Sequence, residues 1–121
     1  MKPFNFFYIG SKIYDYVEKV NKEYEEENVS KIYQTRTICL NTISSNYVTI
    51  SLSNYNSNMW RSEQGNDEFL TIYKNGTFNL TLKKGTEESL SKFTHFIAFV
   101  LQEIEIYKAM HGEETEDNKD E

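Results

Sequence analysis

Apolar side chains along this chain recur first at helical spacing, then at alternate positions, then at helical spacing again. Ile13, Tyr16, Val17, Val20 and Tyr24 lie three and four positions apart, which places them on one side of a helix. Ser11 stands where a hydroxyl can accept an orphan backbone N–H and start that helix. Glu23, Glu25, Glu26 and Glu27 crowd its C-terminal end, where the helix dipole disfavours anions. Fraying is expected there, with Asn28 as the stop. Residues 3–9 are aromatic and read as a short edge strand or as an arm lying on the core.

Residues 32–42 read as a strand with Ile38 and Leu40 on one side, and Thr42 to Asn46 holds a turn. Val48, Ile50 and Leu52 then alternate with Tyr47, Thr49, Ser51 and Ser53. Residues 54–67 are polar, with Tyr55, Met59 and Trp60 as their large apolar side chains. That segment is a long loop, or holds a short strand near 57–62, and Gln64 to Asp67 is a turn. Next comes IYKNGTFNL, Ile72 to Leu80, whose Asn-Gly predicts a hairpin. A two-residue loop would set Ile72 opposite Asn79 and Leu70 opposite Thr81, splitting the apolar set. A three-residue loop of Lys74, Asn75 and Gly76 sets 72 opposite 78 and 70 opposite 80. Leu70, Ile72, Phe78, Leu80 and Leu82 then share one face, and Gly76 takes the left-handed position. The three-residue form is the one expected.

Thr86 is placed to cap a last helix, with Glu87 and Glu88 in its first turn and Gly112 at its end. One stripe of that helix is Leu90, Phe93, Ile97, Val100, Leu101, Ile104 and Tyr107. A second is Phe96, Phe99, Ile106 and Met110, which must meet the first helix or form the seam of a homodimer. The expected fold is α+β: two layers, an antiparallel sheet of about four strands in α-β-β-β-β-α order, both helices on one face.

Charge refines this picture. The chain has 121 residues and a net charge of −6, yet residues 1–112 carry only −1. Residues 113–121, with six acids and Lys119, carry the other −5. The expectation is a single domain over 1–112 and a disordered acidic tail over 113–121. One cysteine, Cys39, excludes an intrachain disulfide and suits a reducing, cytoplasmic setting. Neither a signal peptide nor a membrane span is read, so the three Asn-X-Ser/Thr sequons are taken as accidental. Twelve Asn, abundant Lys, Ile, Tyr and Phe, and a single Pro suggest AT-rich coding, as in a low-GC bacterium or its phage.

No phosphate-binding glycine loop, HExxH or GxSxG is present. His95 and His111 lack metal-ligand neighbours in sequence, so no metal, cofactor or catalytic group is expected. Two binding readings remain. In the first, Tyr55, Met59 and Trp60 anchor a protein partner, and Glu25, Glu26 and Glu27 occupy a basic site on it. An inhibitor of a host nucleic-acid-handling or defence protein, encoded by a phage or mobile element, is the expected kind. In the second, the hydroxyl-rich outer sheet face binds single-stranded nucleic acid. Tyr33, Tyr47, Phe69 and Tyr73 would stack on bases, and Arg36, Lys74, Lys83 and Lys84 would meet phosphates. Four strands followed by a helix, over about 33–110, resembles the architecture of PUR-like single-strand binders. NYVTISLS and GTFNLTLKKG carry no motif of that family, so the resemblance stops at architecture.

Overall fold

The computed structural model describes residues 3–27, 36–54, 68–82 and 87–111. The side chains of Glu25, Glu27, Arg36, Ser53, Asn54 and Glu68 lie outside that description. So do the expected helix stop at Asn28, the cap at Thr86, the 57–62 segment and the tail.

The chain enters through Asn5, whose Oδ1 accepts the Phe7 N–H at 2.8 Å and starts a 3-10 helix, Phe6–Ile9. Helix α1, Gly10–Glu27, follows without a break. Asn5, not Ser11, is therefore the cap, because the 3-10 turn places Ser11 inside the first turn of an uninterrupted helical run. Residues 3–9 form the arm, not the strand: Phe4, Phe6 and Ile9 are buried. The Phe6 N–H donates to the Ser45 carbonyl at 3.1 Å, tying the arm to the turn between the first two strands.

Four strands form a meander in spatial order β1-β2-β3-β4, antiparallel throughout. They are β1 (Arg36–Ile43), β2 (Tyr47–Asn54), β3 (Glu68–Tyr73) and β4 (Phe78–Leu82). Helix α2, Glu87–His111, completes the α+β order. The β3–β4 register is the three-residue one: Ile72 pairs with Phe78 and Leu70 with Leu80. The Gly76 N–H donates to the Tyr73 carbonyl at 2.9 Å, and Gly76 adopts φ 92°. In β1 the register shifts between Leu40 and Thr42, a bulge that takes up Asn41. The bulge lets the strand continue to Ile43, opposite Val48, so Ile38, Leu40 and Ile43 share the core-facing side.

Both helices contribute to one core. Ile13, Val17 and Val20 of α1 join Phe93, Phe96, Ile97, Val100 and Ile104 of α2 over Ile38, Val48, Ile50, Leu52, Leu70 and Ile72. Asn21 sits among the apolar positions of α1 and pairs with the outer edge of β1. Its Nδ2 donates to the Ile38 carbonyl at 3.0 Å, and its Oδ1 accepts the Ile38 N–H at 2.9 Å. Lys92 is also buried, held by Glu88 Oε2 at 2.8 Å and lying 4.3 Å from the Tyr24 ring centroid.

The second stripe of α2 meets the first helix. Phe96 is wholly buried, and Phe99 stacks on Tyr16 at 4.2 Å between centroids. The expected homodimer seam of Phe96, Phe99, Ile106 and Met110 is thus consumed at its centre inside one subunit. Ile106 is half-buried and Met110 exposed at the end of α2. The β4 edge departs the other way. Phe78 and Leu90, placed in the core by their spacing, are 44% and 47% exposed. β4 is an edge strand, and the helices cover it incompletely.

Candidate binding surface on the open sheet face

The strand pleat sends Tyr47, Thr49 and Ser51 of β2 and Phe69, Thr71 and Tyr73 of β3 to the side away from the helices. Cross-strand pairing brings Tyr47 beside Tyr73, their rings edge-on with centroids 6.3 Å apart. Tyr47, Tyr73 and Phe69 are 37%, 36% and 40% exposed. Aromatic rings with that much accessible area, fixed on paired strands, are pre-ordered anchors that lose little entropy on binding. Asn79 of β4 donates weakly to the Tyr73 hydroxyl at 3.4 Å, which orients the ring.

The anchors end at a shallow hollow of about 600 Å³ beside the β3–β4 turn, lined by Asn46, Tyr73, Lys74, Asn75, Thr77, Phe78 and Asn79. Its walls are held locally. Asn75 Oδ1 accepts both the Thr77 N–H at 3.1 Å and the Thr77 hydroxyl at 2.8 Å. The Lys74 N–H donates to the Asn46 carbonyl at 2.9 Å, joining the two hairpin turns. Ser44 Oγ accepts the backbone N–H groups of Asn46 and Tyr47 at 3.2 Å, closing the β1–β2 turn under the first anchor.

Part of this face is not open. Cys39 and Ser51, paired across β1 and β2, point outward yet are buried. Asn41 Nδ2 donates to Ser51 Oγ at 3.3 Å. The accessible region therefore leaves out Cys39 and Ser51 and runs from Tyr47 and Thr49 across Phe69 and Tyr73 to Asn79 and Thr81. Among the described outward-facing strand side chains none is charged, and Lys74 in the turn is the nearest described cation.

Of the nucleic-acid set expected from sequence, Tyr47, Phe69 and Tyr73 come together with Lys74 at their edge. Tyr33, Lys83 and Lys84 lie outside the described residues, and Arg36 is described only as the first residue of β1. Of the protein-binding set, Tyr55, Met59 and Trp60 lie outside the described residues. Glu26 is exposed in the last turn of α1, far in sequence from the sheet anchors; Glu25 and Glu27 are described only as helical positions there.

A second hollow, about 380 Å³, lies where the start of α1 meets the end of α2. Tyr8 stacks on Tyr107 at 5.2 Å, and Tyr107 on His111 at 4.0 Å. Lys12 Nζ approaches Glu103 Oε1 at 3.3 Å, an electrostatic contact, since that oxygen takes no hydrogen bond. Sequence reasoning passed over this cluster because its members are spread across three elements. Among the described residues no group of three or more His, Cys, Asp or Glu side chains converges, and no helix is long and apolar enough to cross a membrane. No family model matches the chain, and neither a curated protein nor a solved structure matches it.

Proposed function

We propose that this chain is a non-enzymatic protein-binding module whose contact surface is the open part of the sheet face around Tyr47, Phe69 and Tyr73. The observation that carries the reading is the exposure of three aromatic anchors on a face with no described charge. Interface centres are rich in Tyr and Phe and poor in charge, whereas a phosphate backbone demands a basic surface. The finer proposal is that the partner is a nucleic-acid-handling or defence protein of a host, inhibited by a phage- or mobile-element-encoded chain. Its support is the AT-rich coding composition together with the glutamates that end α1 and the acidic tail.

A second reading, single-strand binding, is favoured by the same ring placement. Two tyrosines and a phenylalanine on adjoining strands suit base stacking, each stack worth about 1–3 kcal/mol.

One pair of measurements separates the two. The immobilised chain is used to capture partners from a nuclease-treated extract, alongside a Tyr47→Ala/Tyr73→Ala variant. A labelled mixed-sequence single strand is titrated in parallel at low and moderate salt. Protein capture that survives nuclease and is lost in the variant supports the first reading. Oligonucleotide binding that weakens with salt and is lost in the variant overturns it in favour of the second.

A further inference from the structure

The two edges of the sheet are treated differently. At β1 the outward N–H and C=O of Ile38 are both taken by the Asn21 amide, so a helix side chain substitutes for a neighbouring strand. At β4 the ladder itself shows which groups are left. The Tyr73 N–H donates to the Thr77 carbonyl at 2.8 Å, which makes 73 and 77 a hydrogen-bonded pair. Antiparallel alternation then makes 71/79 and 69/81 hydrogen-bonded, and 72/78, 70/80 and 68/82 not. The backbone N–H and C=O of Phe78, Leu80 and Leu82 therefore point away from β3. Among the described residues nothing pairs with them.

Next to this bare edge lies an apolar rim. Phe78 and Leu90 are exposed, and Leu80, Leu82 and Leu101 are only half-buried. Leu90, Ile97 and Leu101 fall seven and four positions apart on α2, and Leu101 Cδ2 lies 3.8 Å from where a Cβ on Gly76 would stand. Leu101 thus brings an apolar side chain of α2 to the β3–β4 turn.

We propose that β4 pairs antiparallel with β4 of a second copy of this chain, joining two four-stranded sheets into one of eight strands. The occupant is identified by the strand's own sequence. With Leu80 opposite Leu80 of the second copy, Phe78 falls opposite Leu82, and Asn79 opposite Thr81, each twice by symmetry. Outward-pointing groups meet outward-pointing groups in this register, since positions 78, 80 and 82 are matched with 82, 80 and 78. That supplies about six inter-chain hydrogen bonds, two for each pair. The core-side pairs are all apolar, and the outer pairs all join an amide to a hydroxyl. No charge opposes a like charge, since positions 78–82 carry none. The two-fold axis stands perpendicular to the sheet, so both copies keep their helices on the same side. The open faces with Tyr47 and Tyr73 also stay on one side, giving a bivalent surface if the proposed binding function holds. The pairing itself does not depend on that function.

Sedimentation velocity of the full chain, from low micromolar to near-millimolar concentration, tests the pairing. The expected result is a concentration-dependent doubling of mass. Phe78→Lys places a cation against Leu82 of the other copy, twice by symmetry, and is expected to weaken association by about tenfold or more with the far-UV spectrum unchanged. Thr81→Lys, on the other face of the same strand, should weaken it as well. A Cys39→Ala/Asn79→Cys/Thr81→Cys variant reads the register directly, because 79 and 81 of opposite copies are non-hydrogen-bonded neighbours, a spacing a disulfide can span. Oxidation should give a covalent dimer with a 79–81 linkage by mass spectrometry. This variant serves even if Phe78→Lys fails to fold. A monomer at every concentration overturns the proposal. So does a dimer that is indifferent to both lysines, or one that yields no 79–81 linkage.

Discussion

Replacing Asn21 with Ala removes two hydrogen bonds at once, those to the Ile38 carbonyl at 3.0 Å and from the Ile38 N–H at 2.9 Å. Both groups of Ile38 face away from β2, so no strand takes the place of the lost amide. A hydrogen bond contributes about 0.5–1.5 kcal/mol net, and a fully buried orphan costs about 1–3 kcal/mol. The site is partly buried, so water reaches it, and about 1 kcal/mol per bond is the appropriate figure. Alanine is the better helix former by about 0.5 kcal/mol, which offsets part of the loss. The expected destabilisation is about 1.5 kcal/mol, or about 6 °C in Tm for a domain of this size. Urea unfolding should show a lower midpoint with an unchanged slope. Hydrogen exchange should report faster exchange at the Ile38 amide while the Leu70 and Ile72 amides keep their rank. A variant as stable as the parent, or an Ile38 amide with unchanged exchange, would refute the reasoning: the amide pair would then be incidental to the fold.

Gly76→Ala should cost about 1–2 kcal/mol, measured by the same unfolding curve, because φ 92° strains an L-residue while the nearest side chain, 3.8 Å away, leaves room for a methyl. Phe96→Ala should lower stability by about 3–5 kcal/mol, as expected for a fully buried ring; a loss of self-association at unchanged stability would instead place Phe96 at an interface. Tyr16 titrates above its usual 10.0 through burial first and Glu23 second. The folded state thus holds the phenolic proton more tightly than the unfolded state, so the Tyr16 contribution to stability is constant below pH 10.0 and is lost as pH rises through that value toward the folded pKa. Tyr16→Phe should reduce that alkaline loss, and equal loss in parent and variant would assign it to other groups.

The parts of the fold that were legible from sequence are those where one signal outweighs its rivals. The β3–β4 register follows from Leu70, Ile72, Leu80 and Gly76 together, since a one-residue slip sends the apolar set to the wrong face. The stripes of both helices follow from spacing for the same reason. Asn5 escaped notice because a 3-10 entry has no apolar period of its own. The Asn41 bulge was hidden because β1 does not alternate cleanly, although Ile43 at odd distance from Leu40 was a trace of it. Asn21 carried a readable sign: a polar residue set among Val17, Val20 and Tyr24 needs a partner. Phe78 and Leu90 were assigned to the core because spacing states which side a residue faces, not how far the facing layer extends. At the candidate surface, the grouping of Tyr47, Phe69 and Tyr73 was legible from register. The burial of Cys39 and Ser51 was not, because alternation states which side a residue faces, not what lies over it.

The meander has a consequence for how the chain is made. Among the described residues each strand hydrogen-bonds only to strands adjacent in sequence, so the sheet can close in the order in which its parts leave the ribosome. The side bearing Ile50, Leu52, Leu70 and Ile72 receives its second covering helix last, because Phe93, Phe96, Ile97, Val100 and Ile104 follow the other described core residues in sequence. For that interval a nascent chain would hold a formed sheet with half its lid missing, the state in which sticky strands find wrong neighbours. Ribosome-bound chains halted before residue 87 should bind a holdase chaperone or a hydrophobic dye, and chains extended past residue 111 should release it.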